Sequence, residues 1–130
     1  MSPANRRWQE LAGRARTFLA PPEERGRPNG LEAERLGAQP IASIQDRTRV
    51  RLAGVVRAVT LCPVGNAPTF EADLWDGTGA VRVVWLGQRE IAGIQPGARL
   101  VVEGLAALDR GRPVMRDPRY RLLPEAEAVA

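Results

Sequence analysis

The stretch DLWDGTGAVRVVWLG, Asp73 to Gly87, decides how this chain reads. At its centre Asp76-Gly77-Thr78-Gly79 could be a catalytic or phosphate-cradling loop, or a turn joining two strands. A phosphate-cradling loop leads into a helix whose free amides point at the anion. Here Val81, Val83, Val84 and Trp85 follow, residue types that favour strand. An aspartic-protease dyad needs an Asp-Thr-Gly on each of two lobes so that two carboxylates share a proton. This chain has a single such site, with an extra glycine inside it. Asp-Gly is among the strongest hairpin signals, because such turns require positive φ. The stretch reads as a turn.

The flanking segments alternate with period two. Before the turn, Phe70, Ala72 and Leu74 share one face and Glu71, Asp73 and Trp75 the other. After it, Val81, Val83 and Trp85 lie opposite Arg82, Val84 and Leu86. Strict alternation puts Trp85 inside, whereas a bulge late in the strand would turn it out. Upstream, RTRVRLAGVVRAVTL sets Arg47, Arg49 and Arg51 against Thr48, Val50 and Leu52. Gly54 interrupts this long strand where a bulge or sharp bend would let it serve two sides of a barrel. Downstream, GQREIAGIQPG reads as a short helical turn with Ile91 and Ile94 as its apolar contacts. ARLVVEGLAAL is a fourth strand, DRGR a turn, and PVMRDPRYRLL a fifth strand broken at Pro118.

The first forty residues differ. Trp8, Leu11, Ala12, Ala15, Phe18 and Leu19 recur at helical spacing, predicting an amphipathic helix of about four turns that stops at Pro21-Pro22. Its apolar stripe would pack on the main domain or on a second copy. PPEERGRPNG is a linker, and a second short helix is expected over Leu31 to Leu36. The pattern predicts an all-β chain, a five-stranded OB-fold barrel with an N-terminal α-helical extension. Residues 1–40 form the extension and linker, 41–123 the barrel with Val50, Leu52, Leu74, Val81, Val83, Leu100 and Val102 inside, and 124–130 a frayed tail.

Composition limits the chemistry. The 130 residues carry a net charge of +4, and all 19 basic residues are arginine. With a pI near 10.8, an anionic partner such as nucleic acid fits. The arginine count also fits a GC-rich coding bias, so it carries little weight alone. Histidine is absent, which removes the commonest general base and metal ligand. Lysine is absent too, which excludes a phosphate-loop lysine, a Schiff base and a lysyl-nucleotidyl intermediate. The single Cys62 forms neither an internal disulfide nor a zinc site. No nucleophile–base pair, metal cluster or carboxylate pair emerges. The expectation is a non-enzymatic protein without cofactor or metal. With no signal-peptide core and no run of about 18 apolar residues, it is expected to be soluble and cytoplasmic, without a membrane partner.

VRLAGVVRAV, ADLWDGTGAVRVVWL, IQPGARLVVEG and RPVMRDPRYRLL together resemble the OB-fold wedge domain of the RecG helicase, and small stand-alone OB-fold nucleic-acid-binding proteins of bacteria. The resemblance spans roughly Ile41 to Leu123, and Asp117 stands where the wedge domain usually has histidine before proline. It implies nucleic-acid binding and no unwinding; single-stranded or junction DNA is favoured over RNA, with a role accessory to a repair or recombination enzyme. In an OB-fold the ligand face is the outer surface of the second and third strands, framed by two loops. Candidate contacts are Trp75, Arg82 and Trp85 on that face, Arg47, Arg49, Arg51 and Arg57 on the first strand, and Arg110 and Arg112 in the last turn. Glu71 and Asp73 beside Trp75 oppose a purely electrostatic groove. A protein-interaction module using the same face and the N-terminal helix, or a homo-oligomer formed through that helix, is the alternative.

Overall fold

The computed structural model describes residues 16–19, 26–62 and 67–124, the first of these as backbone only. Its elements are β1 (Arg16–Leu19), α1 (Gly30–Leu36), a 3-10 turn (Ile41–Ser43), β2 (Thr48–Cys62), β3 (Thr69–Trp75), β4 (Ala80–Leu86), β5 (Arg99–Asp109), β6 (Arg112–Arg116) and β7 (Arg119–Leu122). The architecture is mostly β, and five of the strands close on themselves.

Closure depends on β2. At roughly 3.3 Å per residue, a straight strand of that length would overrun any partner here. Instead β2 changes partner midway. Thr48 to Val55 pair antiparallel with Ala106 to Arg99 of β5, and Val55 to Cys62 pair antiparallel with Trp75 to Thr69 of β3. The exchange falls at Gly54, where an added Cβ would lie 2.6 Å from the Trp75 carbonyl oxygen. Only glycine admits that approach. The register shifts between Val56 and Ala58, so the bulge expected near Gly54 falls at Arg57.

From β2 the sheet runs through β3 to β4 as an antiparallel hairpin, then to β6 in parallel, and back through β5 to β2. The expected fifth strand is two strands. Asp117, with φ 48°, turns the chain, and Pro118 has no N–H to continue the ladder. The Asp117 amide donates to the Val84 carbonyl at 2.7 Å, and its carboxylate accepts from the Leu86 amide at 3.1 Å. Beyond the break β7 pairs with β5, Leu100 facing Leu122.

Alternation builds the core as expected. Val50, Leu52, Leu74, Val81, Val83, Leu100 and Val102 are all buried, and Ile41 and Met115 join them. Ile91 and Ile94 are also buried, but their segment is not helical. Gly93 and Gly97 have φ of 83° and 92°, and Gly97 donates to the Val56 carbonyl at 2.7 Å, so the backbone is drawn to β2. No helix among the described residues is long and apolar enough to cross a membrane.

The second helix is present as α1. Asn29 caps it by accepting from the Glu32 amide at 2.8 Å, and Gly37 ends it with φ 69°. The long N-terminal helix expected to reach Leu19 is corrected at its end. Arg16–Leu19 is a strand, antiparallel to Leu61–Ala58 of β2. Its addition satisfies backbone groups on the β2 edge that β3 leaves open, which outweighs a local helical preference. Residues 1–15 of that helix, and 125–130 of the tail, lie outside the described residues.

Arg99 ties Gly26, α1 and Pro124 to the closed sheet. It is 8% exposed. Its guanidinium donates to the Gly26 carbonyl at 3.0 Å and to the Pro124 carbonyl at 2.7 Å, and pairs with Glu32 of α1. Arg99→Met would leave two carbonyls and a partly buried carboxylate without their donor. Urea denaturation should show a loss of about 2–3 kcal/mol with an unchanged m-value. The figure sits below that for a fully buried pair because Glu32 is 35% exposed and rehydrates.

Candidate functional site

The alternation that fills the interior also fixes the outer surface. Across β2, β3, β4 and β6 the register lines up Ala58, Asp73, Arg82 and Val114, and beside them Thr60, Glu71, Val84 and Arg116. Small side chains on β2 and β4 leave a groove of about 840 Å³ over these strands. One end is marked by Cys62 and Thr69, where β2 passes to β3, and the other by Asp109 and Arg112, where β5 turns into β6. Arg110 and Gly111 form that two-residue turn with φ of 52° and 80°. This is the type I′ geometry that suits a tight hairpin, and it leaves Arg110 exposed at the rim.

The groove carries both signs of charge. Arg57 pairs with Asp73 at 3.0 Å, and Arg82 lies 3.9 Å from Glu71. Each partner in the first pair keeps about 40% of its side-chain surface exposed. Pairs this exposed contribute about 0–1 kcal/mol, so an incoming anion displaces the carboxylate at little cost.

Trp75 is outward and half-buried, as alternation predicts. The Arg57 guanidinium lies 5.6 Å from its ring centroid and that of Arg27 6.0 Å. These are cation–π distances. Arg27 sits in the linker, where no sequence pattern marked it. Trp85 turns inward and is 5% exposed. The register of β4 runs unshifted through the Phe70–Trp85 pair, so no bulge reorients it. Its ring packs 6.0 Å from Phe70 and edge-on to Tyr120 at 5.7 Å. Trp85 is therefore withdrawn from the candidate contacts, since its faces are taken.

The sequence-selected arginines divide. Arg57, Arg82, Arg110 and Arg112 surround the groove or its rim. Arg49 and Arg51 lie on the β2 segment paired with β5, and Arg47 precedes it. Arg51 pairs with Glu103 of β5 at 2.9 Å and donates to the Leu36 carbonyl at 3.2 Å. They belong to a different surface.

Asp76-Gly77-Thr78-Gly79 joins Trp75 to its partner Ala80 as a hairpin turn, with Gly77 at φ 91°. One Asp76 carboxylate oxygen accepts from the Thr78 amide at 2.8 Å, the Thr78 hydroxyl at 2.6 Å and the Gly79 amide at 3.1 Å. The other accepts from the Ile41 amide at 2.9 Å. The loop's amides are thus engaged by its own carboxylate, the opposite of a phosphate cradle.

Among the described residues no group of three or more His, Cys, Asp or Glu is placed to hold a metal. Comparison with known protein families, with characterised proteins and with solved structures finds no match to this chain.

Cys62 is buried at the groove's end, its thiol 3.5 Å from a Glu71 carboxylate oxygen. Burial first, and the Glu71 charge second, push the thiol pKa above its ordinary value. A raised pKa reduces the thiolate fraction at any given pH. Labelling by a disulfide reagent at pH 8 should therefore be slow in the native protein and fast in urea. Glu71→Gln should speed native labelling by removing the charge.

Proposed function

We propose that the chain is an OB-type nucleic-acid-binding module that takes single-stranded or junction DNA in the groove over β2, β3, β4 and β6. Counted from β2, the closed sheet runs first-second-third-fifth-fourth-first, with a long bent first strand, in keeping with an OB barrel. The groove itself carries the reading. It lies on the face where OB barrels hold oligonucleotides, between the connections that usually frame the ligand. Arg82 and Arg112 line it, Arg110 stands at its rim, and Trp75 with Arg57 lies along the same strands. Such a surface combines guanidinium groups for phosphates with an indole for a base. The resemblance of residues 41–123 to the RecG wedge domain favours DNA and a place beside a repair or recombination enzyme.

Glu71, Asp73 and Asp109 in the groove favour a second reading, in which it receives a basic protein segment. OB barrels serve both ends, since fold does not determine function.

Fluorescence anisotropy with a labelled single-stranded oligonucleotide at several salt concentrations separates the readings. Phosphate contacts release counterions, so affinity should fall steeply with salt. Trp75→Ala should weaken binding by about 1–3 kcal/mol with a nearly unchanged salt slope, because stacking is insensitive to salt. Replacing Arg110 and Arg112 together should flatten the slope by up to about two phosphate contacts. Absence of binding at low salt would transfer the groove to the protein-binding reading.

A further inference from the structure

A second charged surface lies outside the groove. β5 runs between the first half of β2 and β7, and the register sets Arg51, Glu103 and Arg119 in one row across these strands. Arg49 faces Leu105 in one neighbouring row, and Arg121 faces Val101 in another. Directly paired residues project from the same side of a sheet. Arg49, Arg51, Arg119 and Arg121 therefore share one outer face, all exposed, with Glu103 as the acidic group among these rows. Glu103 is engaged by Arg51 at 2.9 Å. Among the described residues, no salt bridge reaches Arg49, Arg119 or Arg121.

The spacing suits an extended polyanion. Alternate residues along a strand are roughly 6.7 Å apart, and strands on either side of a third are roughly 9.5 Å apart. Arg51, Arg119 and Arg121 line a shallow cleft of about 230 Å³ together with Glu103, Leu36, Val101 and Tyr120. An open cleft on a sheet does not enclose a small anion, whereas a sugar–phosphate backbone can lie across it. The alternate positions of β7 keep other contacts while staying partly exposed: Tyr120 packs on Trp85, and Leu122 lies against Gly93. Neither fixes an arginine at 119 or 121.

Resting on the nucleic-acid reading of the groove, we propose that the β2–β5–β7 face binds a duplex backbone of the same DNA. The module would then hold a single strand in the groove and a duplex arm on the arginine face, an arrangement suited to a fork or branch.

The test compares R119E/R121E with the parent protein on two probes, a hexanucleotide single strand that fills only the groove and a forked duplex with single-stranded tails. The double variant should bind the fork about tenfold or more weakly at low salt. Its log–log salt slope on the fork should fall by about two. Hexanucleotide affinity should stay within about threefold, since no groove phosphate contact is removed. R119Q/R121Q, which places no acidic group beside Glu103, serves if charge reversal disturbs folding, judged by near-UV circular dichroism. Unchanged fork affinity and slope in a folded variant would overturn the proposal while leaving the groove intact. Equal losses on both probes would also overturn it. Parent protein that binds neither probe would remove the groove reading itself, and this face with it.

Discussion

The change of partner at Gly54 is the constraint on which the rest of the molecule depends. A side chain there would collide with the Trp75 carbonyl and with Leu74, whose Cγ would lie 3.0 Å away. With glycine in place, β2 approaches β3 closely enough to leave β5 and begin a second ladder. The sheet then closes on itself through the β2–β5 pairing, and β1 covers the edge that β2 still offers beyond Gly54. The same event shapes the outer surface. Arg57, extruded by the register shift just beyond Gly54, reaches both Asp73 and the Trp75 ring. Core closure and candidate site share one backbone feature.

Much of this was legible because period-two alternation is local. It identified buried positions on β2, β3, β4 and β5, though not Met115 of β6, and Asp-Gly identified the hairpin between β3 and β4. The misses share a cause. Arg16–Leu19 has a helical apolar spacing, but the open edge of β2 across from it is a tertiary fact. Residues 87–97 hold two well-placed isoleucines, yet their backbone follows a hydrogen bond to Val56 far upstream. Arg47, Arg49, Arg51 and Arg57 are neighbours in sequence, but the partner exchange at Gly54 sends them to different sides. Arg119 and Arg121 alternate visibly around Tyr120, and only the β5–β7 register shows that they join Arg51.

Electrostatics distinguish the two outer surfaces more sharply than net charge does. In the groove, arginines face carboxylates across exposed pairs, each contributing about 0–1 kcal/mol. Such pairing lowers non-specific attraction and leaves discrimination to shape and to the indole. On the β5 side, guanidinium groups outnumber carboxylates. This surface should dominate long-range steering, which is screened beyond about 8–10 Å at physiological salt. Such a division gives each surface its own salt signature.

The claim that the groove receives a nucleic-acid strand is tested most directly by mapping the bound oligonucleotide on the protein. Backbone amide resonances titrated with a short single strand should shift along β2, β3 and β4 around Ala58, Thr60, Asp73 and Arg82, with the Trp75 indole N–H. Amides of α1 and of the buried Leu100–Val102 segment should stay in place. Shifts confined to α1, or spread evenly over every arginine on the surface, would contradict the account.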